Sequence, residues 1–174
     1  MARGVLVELP GFWFPVIATR APAGVLPDVD AKRIGLTRGP NGASTVLAAL
    51  NMRRAVLAAA PGQPALAVAF YPDCEAELKR RFETNTRLLM LVGALVDWTP
   101  AAPCEALVRA ASGAVKPEVE TSANTYQTFD STAPVRVRRD VPNGVNPGQG
   151  VHVGGEPAAR AASRERLGRF LRRL

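Results

Sequence analysis

The stretch DCEAELKRRFETNTRLLMLVGALVDW, from Asp73 to Trp98, carries the strongest periodic pattern in the chain. The positions that recur at spacings of three and four residues are Cys74, Leu78, Phe82, Asn85, Leu89, Val92 and Val96. Such spacing lies on one face of a helix and predicts a helix over residues 73–98. Because the residues after Arg87 are apolar on nearly every side, we expect the second half of this helix to be surrounded by protein.

A second helix is predicted over residues 44–60, between a turn at residues 39–42 and the Pro61-Gly62 pair. Ser44 or Thr45 is its predicted N-terminal cap. Shorter elements flank the two helices: strands near residues 5–7, 33–36 and 65–71, and a helix near 103–111. The sequence therefore predicts an α+β fold in which two central helices pack on short mixed strands.

The composition changes after Gly113, where Gly, Pro, Ser, Thr and Asn become frequent. This part predicts a loop-rich β region, with strand character within residues 118–129 and at 135–138. Pro157 suits the first turn of a last helix, which is basic and amphipathic. The predicted division is an α+β core over 1–113, a loop and hairpin region over 114–155 and a basic C-terminal helix over 156–174.

Positive charge is concentrated in the last quarter of the chain. Residues 1–132 hold 13 basic and 12 acidic side chains, whereas residues 133–174 hold nine arginines and three acidic residues. This asymmetry predicts a basic surface for an acidic partner or a nucleic acid, although a GC-rich genome also produces an arginine excess. The predicted anion or nucleic-acid contacts are Arg136, Arg138, Arg139, Arg160, Arg164, Arg169, Arg172 and Arg173.

Two apolar sets are candidates for docking a protein partner or another copy of the chain. Phe12, Trp13 and Phe14 lie between two prolines, and adjacent aromatics on a strand cannot all face one core. The stripe of the C-terminal helix could enter a partner's groove, and it consists of Leu167, Phe170, Leu171 and Leu174. The alternatives are packing on the chain's own core and, for the basic helix, binding to a membrane surface.

Residues with catalytic chemistry are few. The single histidine, His152, lies in a glycine-rich loop with no carboxylate or nucleophile beside it in sequence, and is predicted to be exposed and idle. Cys74 and Cys104 have no metal-ligand spacing. They are predicted to be reduced, apolar residues, with one disulfide between them as the alternative. The pairs Asp28 with Asp30 and Glu118 with Glu120 could bind a divalent cation but are equally ordinary surface residues. No metal site and no cofactor are predicted.

These observations favour a non-enzymatic structural subunit of a large oligomeric assembly, best matched by a capsid-associated or tail and connector protein of a virus or bacteriophage particle. One alternative is a nucleic-acid-binding subunit of a ribonucleoprotein. A second is a small enzyme, which requires His152 or a cysteine to lie beside an acid or base. The apolar stretches are too short for a membrane span, so we expect an intracellular, soluble protein, part of a virion under the first hypothesis.

Overall fold

The computed structural model describes residues 3–8, 29–38, 42–54 and 64–172, and five of its strands form one sheet. These strands are β1 (Arg3–Glu8), β2 (Val29–Arg38), β3 (Leu66–Phe70), β4 (Arg87–Gly93) and β5 (Glu118–Ser122). Each strand pairs in parallel with the next one along the chain, so the sheet order is the chain order. The carboxyl ends of all five strands therefore lie at one edge of the sheet.

Helices and a small second sheet surround the parallel sheet. The helices are α1 (Ala43–Leu50), α2 (Glu75–Lys79), α3 (Ala101–Ala110) and α4 (Pro157–Leu171). The small sheet is an antiparallel pair of β6 (Arg136–Arg138) and β7 (Val151–Val153). Parallel strands joined through helices are typical of α/β architecture.

The prediction of one helix over 73–98 is wrong. Its first part is the short helix α2, and its apolar second half is the central strand β4. Alternate residues of β4 face opposite sides of the sheet: Leu88 and Met90 belong to one core cluster, Leu89 and Leu91 to another. A parallel strand with helices on both faces is apolar all round, so its sequence resembles a fully buried helix. The expectation that this stretch is surrounded by protein is confirmed.

Two hydrophobic clusters cover the two faces of the sheet. The first packs α1 and α3 against β2, β3 and β4, with Val46, Leu47 and Leu107 fully buried. The second packs α4 on the opposite face, where Phe170 is 1% exposed. Mixed helix and strand content is confirmed, whereas the predicted α+β arrangement of two central helices on mixed strands is replaced by a parallel sheet between helical layers.

Helix α1 begins directly after Gly42. Gly42 occupies the cap position, and neither Ser44 nor Thr45 caps the helix. The Ser44 hydroxyl instead accepts a hydrogen bond from the Asp73 backbone N–H, at 3.0 Å. The helix predicted over 44–60 ends at Leu50, because Asn51 has an extended backbone, so the prediction is wrong for residues 51–54. Residues 55–60 lie outside the described part of the chain.

Helix α4 is held on the chain's own sheet by charge as well as by apolar packing. Arg166 forms ion pairs with Glu118 and Glu120 of β5, and the guanidinium groups of Arg87 and Arg166 lie over the Phe170 ring. β5 and α4 thus pack directly on elements of residues 1–113. No helix within the described ranges is long and apolar enough to cross a membrane.

The two cysteines form a disulfide, contrary to the prediction that they are reduced. Cys74 and Cys104 are 30 residues apart in sequence, and both are buried. Cys74 lies just before α2 and Cys104 within α3, so the bond joins the segments that follow β3 and β4. Sequence spacing gave no sign of it because the contact depends on how the helices pack.

Candidate active site

Polar side chains gather beyond the carboxyl ends of β3, β4 and β5. Tyr71 directly follows β3, Asp97 lies four residues after the end of β4, and Tyr126 lies four residues after the end of β5. The loops after β4 and β5 are tied together, because the Leu95 N–H donates to the Thr125 carbonyl at 2.9 Å. In open parallel sheets this edge is the usual place for ligand binding.

Asp97 and His152 form a carboxylate–imidazole pair at this edge. The Asp97 Oδ2 atom lies 2.7 Å from His152 Nδ1, and the Asp97 Oδ1 atom accepts the His152 backbone N–H at 2.9 Å. One carboxylate therefore fixes both the strand position and the ring orientation of the histidine. The side chains are 25% and 43% exposed, respectively, so the pair is accessible to a small molecule.

The β6–β7 hairpin brings His152 to Asp97. In its register Val137 pairs with His152, while Val151 on β7 packs with Val141 and Trp98 in a small hydrophobic cluster. The hairpin is also joined to the loop after β5, because the Gly154 N–H donates to the Gln127 carbonyl at 2.9 Å. Apolar packing and hydrogen bonds together therefore position His152 beside Asp97.

One aromatic residue lies next to each member of the pair. The Tyr126 ring stacks on the imidazole with centroids 4.8 Å apart and planes 23° apart. Next to Asp97, the Trp98 ring is covered by the Arg138 guanidinium, which also pairs with Asp140. The imidazole is therefore restrained on one face by Tyr126 and at one edge by Asp97.

A second polar pair lies deeper in the same edge. The buried Tyr71 hydroxyl donates to Asp130, and the Tyr71 carbonyl accepts from the Thr99 hydroxyl at 3.1 Å. Burial raises the pKa of Asp130 above its usual range, although the nearby Arg164 guanidinium opposes this shift. Tyr71 has a φ of 47° and Thr128 a φ of 62°, conformations that are strained for bulky and β-branched side chains.

The chemistry available at this edge is proton transfer. In neutral imidazole, an Nδ1–H that donates to Asp97 leaves Nε2 as a hydrogen-bond and proton acceptor. The carboxylate then stabilises the imidazolium that forms when Nε2 takes a proton. A carboxylate-oriented histidine is the general base of many hydrolytic sites.

The chain matches no protein-family model, and no curated protein has a significantly similar sequence. Several solved structures resemble the structure of this chain. A Klebsiella pneumoniae protein assigned as a dienelactone hydrolase has a TM-score of 0.54 and 15% identity, over 85% of this chain and 55% of its own. The structural neighbours of this chain have α/β hydrolase folds.

Two further neighbours have the same fold. Dipeptidyl peptidase 4 of Porphyromonas gingivalis has a TM-score of 0.57 and 18% identity, over 89% of this chain and 21% of its own. Esterase 2 of Thermogutta terrifontis, in a structure phosphorylated by paraoxon, has a TM-score of 0.50 and 14% identity, over 66% and 51%. The chain thus spans about half the length of the two smaller neighbours, and these identities establish a shared fold.

The prediction of a non-enzymatic structural subunit of a virus or phage particle is wrong, because the structural neighbours are a dienelactone hydrolase, an esterase and a dipeptidyl peptidase. The helix predicted over 73–98 includes β4, so the sequence did not predict the parallel sheet to which this strand belongs. The enzyme alternative required an acid or base beside His152, and Asp97 is such a group.

The structure distributes the predicted arginine contacts over several surfaces. Arg138 pairs with Asp140, Arg169 with Glu165, and Arg160 donates to the Ser131 carbonyl. Arg164 lies near Asp130. The exposed members of the set are Arg136, Arg139, Arg164, Arg169 and Arg172. Arg173 lies outside the described residues, and nucleic-acid binding by this set stays a prediction.

The predicted docking residues divide in the same way. Phe170 is buried on the second core cluster, and Leu167 and Leu171 pack against that cluster. The remaining docking residues lie outside the described part of the chain, and they are Phe12, Trp13, Phe14 and Leu174. The stripe of α4 therefore covers the chain's own sheet, and binding of partners or copies stays a prediction.

The Asp97–His152 pair was not predicted from the sequence. Asp97 and His152 are 55 residues apart, and no motif joins them. A prediction of residues 87–93 as a buried strand would have placed Asp97 at the carboxyl edge of a sheet. Glu118 and Glu120, considered as cation ligands, form ion pairs with Arg166, and Asp28 lies outside the described residues.

Proposed function

We propose that this protein is a hydrolase of small acyl substrates, in which His152 is the general base and Asp97 orients it. The distance of 2.7 Å between Asp97 Oδ2 and His152 Nδ1, at the carboxyl edge of a parallel sheet, carries the proposal. The fold is shared with a dienelactone hydrolase, an esterase and a dipeptidyl peptidase, whose names all describe hydrolysis of an acyl bond. An ester is therefore the first substrate class to test.

The attacking group in this proposal is water. In α/β hydrolases the nucleophile lies at the centre of a Gly-x-Ser-x-Gly turn between a strand and a helix. In this chain the five residues that follow β2 read Gly39-Pro40-Asn41-Gly42-Ala43, with asparagine at the centre. The next hydroxyl, on Ser44, accepts the Asp73 N–H. An asparagine amide is not a nucleophile of this kind, which leaves a base-activated water.

The reaction then follows in two steps. His152 Nε2 takes a proton from water as the water oxygen bonds to the acyl carbon, and the carbonyl oxygen becomes an oxyanion. As the tetrahedral intermediate collapses, the ester C–O bond breaks and the departing alkoxide takes the proton from Nε2. The products are a carboxylic acid and an alcohol, and the histidine returns to its neutral form.

The test is hydrolysis of p-nitrophenyl acetate and butyrate by the wild-type protein, the His152→Gln variant and the Glu165→Gln variant. We expect His152→Gln to lower kcat/KM by at least about 100-fold, as removal of a general base does. Glu165 is an exposed residue of α4 that pairs with Arg169 rather than with His152, so its variant should keep wild-type activity. A wild-type rate equal to buffer, or full activity in His152→Gln, would overturn the proposal.

Paraoxon separates the water mechanism from a serine mechanism. The Thermogutta terrifontis esterase 2 structure is phosphorylated by this reagent. We expect the mass of this protein to stay unchanged after incubation with paraoxon, because asparagine stands at the centre of residues 39–43. A phosphoryl adduct on Ser44 would replace water by serine as the nucleophile and keep the hydrolase class.

A further inference from the structure

The large apolar side chains that remain exposed are concentrated around the Asp97–His152 pair. Among the residues whose side chains the structure describes, they are Leu95 at 45%, Val135 at 49%, Val137 at 40% and Val145 at 56% exposure. All four belong to the loop after β4, the β6 strand with its preceding residue, or the loop between β6 and β7. Grouped exposed apolar residues mark binding surfaces more often than single ones do.

Two of the four are attached directly to the pair. Val137 is the cross-strand partner of His152, and paired residues of an antiparallel ladder project from the same face. Val145 donates its backbone N–H to the Asp97 carbonyl at 2.8 Å. Val137 therefore neighbours the proposed general base, and Val145 neighbours the carboxylate residue that orients it.

The other two are held nearby by backbone contacts. Leu95 donates its N–H to the Thr125 carbonyl, next to Tyr126, whose ring stacks on His152. Val135 lies against Gly154, two residues after His152, so closely that a Cβ on this glycine would be 2.4 Å from the Val135 Cα. The positive φ of 153° at Gly154 also favours glycine there.

The arginines of β6 lie on the face of the hairpin opposite to His152. Arg136 and Arg138 alternate with Val137 and pair with Val153 and Val151, and Arg138 is also bound by Asp140. On the face that carries His152, the surface beside the base is therefore formed by Val137 and the Tyr126 ring rather than by the β6 arginines. Such a surface favours an uncharged hydrocarbon group over an anionic one.

We propose that Leu95, Val135, Val137 and Val145 form an apolar rim that binds the aliphatic acyl chain of the substrate. The rim is continuous with the catalytic pair, and this inference rests on the proposed function. It predicts selectivity for acyl chains of about four to six carbons over acetyl, because each buried methylene contributes a factor of roughly four.

The experiment measures kcat/KM for p-nitrophenyl acetate, butyrate and hexanoate. We expect the wild-type value to rise roughly 15-fold from acetate to butyrate, a factor of about four for each of the two methylenes. The Val137→Ser and Val145→Ser variants should each lower the butyrate-to-acetate ratio by roughly 3-fold or more. Val115→Ser, in the loop before β5 and away from the carboxyl edge, is the matched control and should keep the wild-type ratio.

The outcomes distinguish this inference from the proposed function. Hydrolysis that depends on His152 but shows no chain-length preference, or a preference unchanged in both rim variants, overturns the apolar rim and leaves the hydrolase proposal standing. If no ester is hydrolysed, both proposals fall. Light scattering covers the remaining case: a rim variant that alters the oligomeric state and keeps the ratio would assign the rim to contacts between copies.

Discussion

Asp97 accepts two hydrogen bonds from His152, one from the backbone N–H at 2.9 Å and one at the ring Nδ1, 2.7 Å from Oδ2. The first fixes β7 against the loop after β4. The second sets the tautomer and orientation of the imidazole. Structure and chemistry therefore depend on different oxygens of one carboxylate, and a substitution can separate them.

The Asp97→Asn variant should keep the fold and lose activity. Asparagine retains Oδ1 as an acceptor for the His152 N–H, but its amide cannot stabilise an imidazolium as a carboxylate does. We expect the kcat for p-nitrophenyl butyrate to fall at least about 100-fold, with an unchanged circular dichroism spectrum. Asp140→Asn is the matched control on the exposed side of the hairpin, where the carboxylate pairs with Arg138. Equal losses in the two variants would argue against a specific role of Asp97.

Glu77 is expected to matter much more for stability than Glu75 on the same short helix. The Glu77 carboxylate is buried, pairs with Arg54 and accepts from the Asn51 amide at 2.7 Å. Glu77→Gln removes the ion pair and leaves Arg54 without its carboxylate, which should cost about 2 kcal/mol in the free energy of unfolding. Glu75 is exposed and forms a surface ion pair with Lys79, so Glu75→Gln should have little effect. Urea denaturation of both variants checks this difference, and equal midpoints would contradict it.

The buried disulfide should be present in the native protein and contribute substantially to stability. Replacement of Cys74 and Cys104 by alanine opens a loop of 30 residues. The chain-entropy model gives a loss of about 3–4 kcal/mol for a loop of this size. Guanidinium denaturation of the double variant measures this loss. Two free thiols in the wild-type protein, unfolded without reductant, would show that the bond is absent.

Stability should depend on the protonation of Asp130. Burial raises the pKa of this carboxyl, so the folded state binds its proton more tightly than the unfolded chain does. The resulting stabilisation is complete below about pH 4, the usual range of aspartate, and is lost as the pH rises through the raised folded-state value. Tyr71 and Arg164 are the groups that face it.

The Asp130→Asn variant removes this titration and keeps an oxygen acceptor for the Tyr71 hydroxyl. Its stability relative to wild type should therefore improve as the pH rises from 4 to 8. Asp140→Asn provides the opposite sign in a lower pH window. The Arg138 guanidinium lowers the pKa of Asp140, so the stabilisation by this carboxylate is present above about pH 4 and is lost as the pH falls below that value. Urea midpoints from about pH 2 to 8 check both trends. A constant difference between Asp130→Asn and wild type would refute the role of Asp130.

Local sequence signals placed several elements correctly. The strand near 65–71, the helix near 103–111, the helix from Pro157 and the basic strand at Arg136–Arg138 are confirmed. Each is bounded by proline or glycine and carries a short periodic pattern. The stretch 87–93 failed because six of its seven residues are buried, and a strand covered on both faces has no polar alternation.

The sequence by itself determined the mixed helix and strand content, the basic last quarter and the boundaries set by proline and glycine, because these depend on residues close together in the chain. Only the tertiary structure decided that β4 is a strand, that Cys74 meets Cys104 and that Asp97 meets His152. Those contacts join segments 30 to 55 residues apart, and they form only when the parallel sheet brings its carboxyl ends to one edge.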